Sequence, residues 1–183
     1  MAIYATAARM SFMGRTAPAY LTALAIFVAD QVTKWIMIGP LDLERVRQIV
    51  LLPVFNFTWV QNFGISLGLA QAQNDTQRWM LVALTGAIAL GVGYWIRRED
   101  KMGDRLALAL VLGGALGNIF DRVRFGYVVD FLDLHFGEFR PFYVFNVADA
   151  AISIGVVILL LRAVLIRDTG SKDKAPEGTN EHA

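Results

Sequence analysis

The sequence predicts an all-α integral membrane protein with four transmembrane helices, and three observations carry that prediction. Of 183 residues, 56% are hydrophobic and 18% charged, and the mean hydropathy is +0.48, more apolar character than one soluble core of this size uses. Four stretches approach the roughly 20 apolar residues that a helix needs to cross a hydrocarbon core about 30 Å thick. The segments between them carry Lys and Arg unevenly, as the flanks of membrane spans do.

The first span is expected over 17–38, interrupted only by Asp30, Gln31 and Lys34. It runs on into Trp35 and Ile36 and three more spans follow, so it reads as an anchor and not as a removable signal. The second, over 79–96, carries no charge; the third, over 105–121, is short and can extend; the fourth, over 142–161, contains Asp149. Ten Lys and Arg (Arg9, Arg15, Arg97, Arg98, Lys101, Arg105, Arg162, Arg167, Lys172, Lys174) fall on one side, and six (Arg45, Arg47, Arg78, Arg122, Arg124, Arg140) on the other. The richer side is expected to be cytoplasmic, with both termini on it.

The extracytoplasmic segments are then 39–78 and 122–141, and their aromatic and branched content predicts that they fold. Gln48 to Val60 has the composition of short strands broken at Pro53, while Tyr127 to Leu134 is extended or a short helix. Both suit an amphipathic platform on the outer leaflet. Residues 1–167 form one domain, and the polar tail 168–183 lacks apolar periodicity and is expected to be disordered.

Composition also excludes chemistries. Zero Cys removes disulfides, thiolate nucleophiles and zinc-thiolate sites, and two His make a His-ligated metal centre improbable; no metal or cofactor is expected. A net charge of +1, with basic residues dispersed, argues against nucleic acid as a partner.

Ionisable groups inside spans cost about 2.5 to 3.5 kcal/mol on insertion scales and therefore mark sites or partners. Asp30, Asn118, Asp121, Asp130 and Asp149 come from four chain segments, yet all fall near the outer leaflet. Asp30 and Lys34 lie four apart on one helical face and can neutralise each other. Asp121 beside Arg122 reads as an interfacial anchor, Asn62 and Asn146 as caps, Asp133 and Glu138 as solvated charges, and His135 as a side chain without evident partner. Asp149 has no cation within four residues, and Asp130 sits in the apolar run Tyr-Val-Val-Asp-Phe-Leu. If the two meet, mutual repulsion and burial leave one protonated and one ionised, the arrangement that activates water for attack on a peptide carbonyl.

Five motifs occur in order: Asp30-Gln-Val-Thr-Lys34, Asn62-Phe-Gly64, Gly113-Gly-Ala-Leu-Gly-Asn-Ile-Phe-Asp-Arg122, Val128-Val-Asp-Phe131 and Phe145-Asn-Val-Ala-Asp149. From about Asp30 to Gly155 the chain resembles the lipoprotein signal peptidase (signal peptidase II) family. The resemblance implies a multi-pass aspartyl endopeptidase of the bacterial inner membrane, its site near the outer leaflet. It implies cleavage of prolipoproteins just before a diacylglyceryl-modified Cys. The family's catalytic pair maps onto Asp130 and Asp149; Asn62, Gly64, Asn118, Arg122 and Asn146 match positions lining its substrate site. Asp121 matches a supporting position, and Asp30 and Lys34 its first-span pair. A small extracytoplasmic β-sheet and a short, mobile helix over the site are implied too, with lipid-modified prolipoproteins and membrane phospholipid as partners and a monomer as the working state. One departure is Ile65-Ser66, where the family usually has small residues.

Three competing readings remain at this stage. Ser66 or Ser153 with Lys34 could form a Ser–Lys hydrolase, although nothing resembles a nucleophile elbow. A proton-coupled carrier would spread its ionisable groups across both membrane halves, and here they gather near one face. In a non-enzymatic assembly factor the acids would serve only as helix glue.

Overall fold

The computed structural model describes residues 2–64 and 75–169; Ile65-Ser66 and nearly all of the polar tail lie outside the described residues. Along the chain come α1 (Ala2–Ile38), α2 (Leu43–Val46), β1 (Gln48–Leu52), β2 (Phe55–Asn62), α3 (Asp75–Arg98), α4 (Met102–Phe125), β3 (Val128–Leu134) and α5 (Val147–Thr169). Four segments are long and apolar enough to cross a membrane: Arg15–Ile38, Asp75–Arg98, Met102–Phe125 and Val147–Leu165. The 24 residues of each of the first three make about 36 Å of helix at about 1.5 Å per residue, enough for the hydrocarbon core with some tilt.

The four spans are not equivalent. Half of the α4 window is buried inside the protein, against 22% for α1, 17% for α5 and 11% for α3, so α4 is the post around which the others stand. Its glycines explain the close approach. A Cβ at Gly113 would come closer than 3.0 Å to the carbonyl oxygen of Ala23 on α1, and one at Gly114 closer than that to the carbonyl oxygen of Ala148 on α5. Without a hydrophobic drive between helices in lipid, such small-residue contacts allow the dispersion packing that holds them together. Ala19, Ala23, Ala89, Ile96, Leu108, Ala109 and Leu112 form the bundle core.

At one end of the bundle sits an antiparallel sheet of order β1-β2-β3. Pro53 and Val54 make the turn between β1 and β2, where the sequence predicts a break, and the segment after Tyr127 is extended. The register pairs Phe57 with Leu132, Val60 with Asp130 and Asn62 with Val128, with an irregularity between Phe57 and Val60. Val129 and Phe131 join Met37, Leu43 and Trp59 in a second apolar cluster under the sheet. Side chains alternate along a strand, so Asp130 between them points to the opposite face.

Two helix ends differ from the sequence expectation. The third span continues past Asp121 to Phe125 and stops at Gly126, whose φ of 86° and N–H bond to the Arg122 carbonyl (3.2 Å) form a left-handed cap. The fourth starts at Val147 and not at 142. Phe145 pairs with β3 instead, donating to Leu132 O (3.0 Å) and accepting from Leu132 N (2.8 Å), and Asn146 caps the helix. Asp149 therefore lies in the first turn of α5, not seven residues down a span.

Candidate active site

Asp130 reaches the site from the middle of β3, and Asp149 from the first turn of α5. The Leu132–Phe145 bridge joins the two elements and brings both carboxyls to one place. Asn146 sits between them. Its side-chain Nδ2 donates to Asp130 Oδ1 (2.7 Å), its Oδ1 accepts the Asp149 N–H (2.9 Å), and its own N–H donates to Asp149 Oδ2 (3.3 Å). That reciprocal pair is a capping box, so Asn146 is a helix cap and a carboxylate holder at once.

The remaining oxygens of the two carboxyls are held from two other elements. Asn62, at the end of β2, donates to Asp130 Oδ2 (2.9 Å), and Asn118, on α4, donates to Asp149 Oδ1 (2.8 Å). Asn118 Oδ1 in turn accepts from Asn146 Nδ2 (3.1 Å). The Asn62 Oδ1 accepts the Gly64 N–H (2.8 Å), and Gly64 adopts a φ of 89°, which an L side chain disfavours. A Cβ there would also lie 2.5 Å from Leu81 Cδ1. Arg122, one turn beyond Asn118, donates to the Asn118 carbonyl (3.3 Å), while its buried Nε–H has no partner among the described residues. An unspent donor of fixed charge beside two carboxyls is suited to holding a peptide carbonyl.

Asp130 is 1% exposed. Burial first, and then the charge of Asp149, push its carboxyl from an ordinary 3.8 up to about 7, against the opposing bonds from Asn62 and Asn146. The two acids thus feel each other's charge, and Asp130 keeps its proton to far higher pH than an ordinary carboxyl, up to about neutrality.

Below this layer lies a second cluster. Lys34 Nζ stands 2.8 Å from Asp30 Oδ2 and 2.7 Å from Asp121 Oδ2, all three side chains being buried. Asp121 is thus no interfacial anchor for Arg122; its cation is Lys34, from another helix. Gln31 Nε2 ties the two acids, at 3.0 Å from Asp121 Oδ1 and 3.1 Å from Asp30 Oδ2. In the sequence Gln31 stands out only as an interruption of span one, and the signal that marks it is a polar side chain next to Asp30 at that depth.

All ten residues singled out from the sequence fall into this one connected set. The end of β3 and the residue after it depart from expectation. Asp133 is buried, not solvated, and accepts from Thr58 Oγ1 (2.9 Å) and Arg140 Nε (3.1 Å). His135 has a partner too, Asn56 Nδ2 at 3.5 Å from its Nε2.

Residues 22–165 match the family model described as signal peptidase (SPase) II. A protein named lipoprotein signal peptidase from Sphingopyxis alaskensis is 57% identical over 155 residues, covering 84% of this chain and 90% of its own length. One of the same name from Rhizorhabdus wittichii is 53% identical over 146 residues, covering 80% and 85%. A solved bacterial membrane enzyme, determined in meso at 2.3 Å, superposes with a TM-score of 0.72 at 27% identity, covering 88% of this chain and 95% of its own. A second, at 1.9 Å, gives a TM-score of 0.68 at 27% identity, covering 86% and 95%. The chain belongs to the signal peptidase II family of membrane aspartic peptidases, which remove signal peptides from prolipoproteins.

Proposed function

We propose that Asp130 and Asp149 are the catalytic dyad and that the bond cut is the one just before a diacylglyceryl-modified Cys. The observation that carries this reading is that every dyad oxygen meets an N–H donor, from Asn62, Asn118 or Asn146, while the two carboxyls still share their local field. No Ser and Lys stand in a comparable frame among the described residues: Lys34 is enclosed by Asp30 and Asp121.

The roles follow from the charges. Asp149, at the N-terminal turn of α5 where the helix dipole favours negative charge, takes a proton from water. The water oxygen bonds to the scissile carbonyl carbon while protonated Asp130 donates toward the carbonyl oxygen, giving a tetrahedral diol. The C–N bond then breaks as the leaving amine receives the proton that Asp149 took, while one diol hydroxyl returns its proton to Asp130, releasing a carboxylic acid and restoring both carboxyls to their starting states. Arg122 and the amides of Asn62 and Asn118 orient the peptide; Asp30, Lys34 and Asp121 support the frame.

The membrane setting is read from charge and exposure. The sheet, the dyad and the exposed Phe136, Phe139, Phe142 and Tyr143 share the end with fewer Lys and Arg, which suits the outer leaflet of a bacterial inner membrane with both termini cytoplasmic. A lipidated prolipoprotein then enters laterally, its acyl chains staying among membrane phospholipid, and a monomer contains the whole site. The concentration of polar groups at one end disfavours the carrier reading.

The test is cleavage of a diacylglyceryl-modified prolipoprotein, beside its unlipidated form, by wild type, Asp130→Asn and Asp149→Asn purified in detergent and checked for folding. Loss in both folded variants, with only lipidated substrate cut by wild type, supports dyad and substrate together. Full activity in either variant removes that residue from the mechanism.

A further inference from the structure

The cluster below the dyad does more than neutralise charge. Asp30 Oδ1 accepts the backbone N–H of Ala148 (3.0 Å), the residue just before Asp149. Asp121 Oδ2 accepts the backbone N–H of Val129 (3.1 Å), the residue just before Asp130. Lys34 Nζ lies between the two acids, at 2.8 and 2.7 Å, and also donates to Asn118 Oδ1 (3.5 Å), whose amide holds Asp149. A continuous path therefore runs from β3 through Asp121, Lys34 and Asp30 to α5, ending one residue short of each dyad aspartate. It has no slack: a Cβ at Gly117 would lie 2.5 Å from Asp30 Oδ2, so α4 closes the cluster from the side.

Buried ion pairs add little net stability over well-packed apolar replacements, and fixing one geometry is the better attested reason to keep them. Charge neutralisation alone would need only Asp30 and Lys34 on α1. The third group, from α4, and the matched backbone bonds on both far sides are what a spacer requires. We propose that Lys34, clamped between Asp30 and Asp121, is a positioning residue that sets the separation of Asp130 and Asp149. This rests on the dyad reading above.

The experiment compares wild type with Asp121→Asn, Lys34→Met and the triple variant Asp30→Asn/Lys34→Met/Asp121→Asn, all as full chains in detergent, with Asp130→Asn and Asp149→Asn as controls. Unfolding temperature is measured with kcat and KM across pH. The triple variant keeps amide oxygens that can accept from Ala148 and Val129 and buries no charge, so a purely structural role predicts wild-type turnover once it folds. The positioning role predicts that folded Asp121→Asn and the folded triple variant lose about 10²-fold in kcat with KM within about twofold. It also predicts that the two limbs of the kcat profile draw together, because carboxyls held further apart couple less.

Wild-type kcat and unshifted limbs in the folded triple variant would overturn the proposal, as would a rise in KM with kcat unchanged. Failure of all three variants to fold would assign the cluster to stability alone and overturn it equally. Activity in a folded dyad control would instead sink the dyad reading underneath; inactive controls beside an unaltered Asp121→Asn would sink only the positioning role.

Discussion

Asn146 holds Asp130 through its amide nitrogen at 2.7 Å while the oxygen of the same amide caps the helix that carries Asp149. One side chain therefore fixes an acid on a strand and the start of a helix, and substitutions can separate the two duties. Asn146→Asp keeps a capping oxygen but loses the donor to Asp130. The cap survives, but a third carboxyl at this fully buried position between Asp130 and Asp149 is expected to cost about 2 kcal/mol or more of stability and to slow cleavage by about 10²-fold or more. Asn146→Ala should lose both. Thermal unfolding in detergent with initial rates checks this; an Asn146→Asp variant as active as wild type would show that the bond to Asp130 is dispensable.

The proton on Asp130 gives the pH dependence a definite sign. Its carboxyl is raised from 3.8 to about 7 by burial and then by Asp149, so across that window the native state holds a proton the unfolded chain has released. Stability therefore falls as pH rises between those values, by at most about 1.4 kcal/mol per pH unit, and the slope vanishes above the upper one. Activity follows the same proton: cleavage should decline as pH rises through about 7, because the acid that polarises the carbonyl is lost. Asp130→Asn should flatten the stability slope. A rate that holds steady between about pH 6 and pH 9 would contradict the assignment of the acid.

Chelation tests whether the carboxyls serve a metal instead. Each of the four dyad oxygens already meets an N–H donor, at 2.7 to 3.3 Å, a pattern that stabilises carboxylates without a cation. Cleavage is expected to be unchanged after EDTA treatment and dialysis. Abolition by chelator with recovery on added divalent ion would replace the acid and base roles with a metal-bound water.

The spans and both early strands are legible in the sequence because hydropathy and β-branched content are local properties. What escaped it is long-range or set by a single cap. Asp121 next to Arg122 looks paired by adjacency, whereas its cation, Lys34, comes from α1. Asp133, without a cation beside it in sequence, looks solvated, but on β3 it is enclosed by Thr58 and Arg140. Hydropathy counts Phe142 to Asn146 as part of the fourth span, whereas the Phe145 bridge and the Asn146 cap decide where the helix begins and so put Asp149 in its first turn. Asp130 and Asn62 were recognisable from motifs; their 2.9 Å bond depends on the β2 to β3 register, which no local pattern specifies.

Glycines give the sharpest contrast between neighbouring helices. At Gly114 a Cβ would press into the Ala148 carbonyl and come 2.8 Å from Ile152 Cγ1, next to the turn of α5 that carries Asp149. Backbone cannot move aside as a flexible side chain can, so Gly114→Ala should push α5 from α4, costing about 1 to 3 kcal/mol as overpacking does. It should also slow cleavage, since the shift is passed to the dyad. At Gly86, on α3, a Cβ would meet nothing within 4 Å. There Gly→Ala should be neutral or stabilise by up to about 1 kcal/mol through helix propensity, with the cleavage rate unaltered. Melting temperatures and rates for the two variants side by side decide the matter. Equal tolerance at both positions would mean that α4 and α5 are not in the close contact on which the site geometry depends.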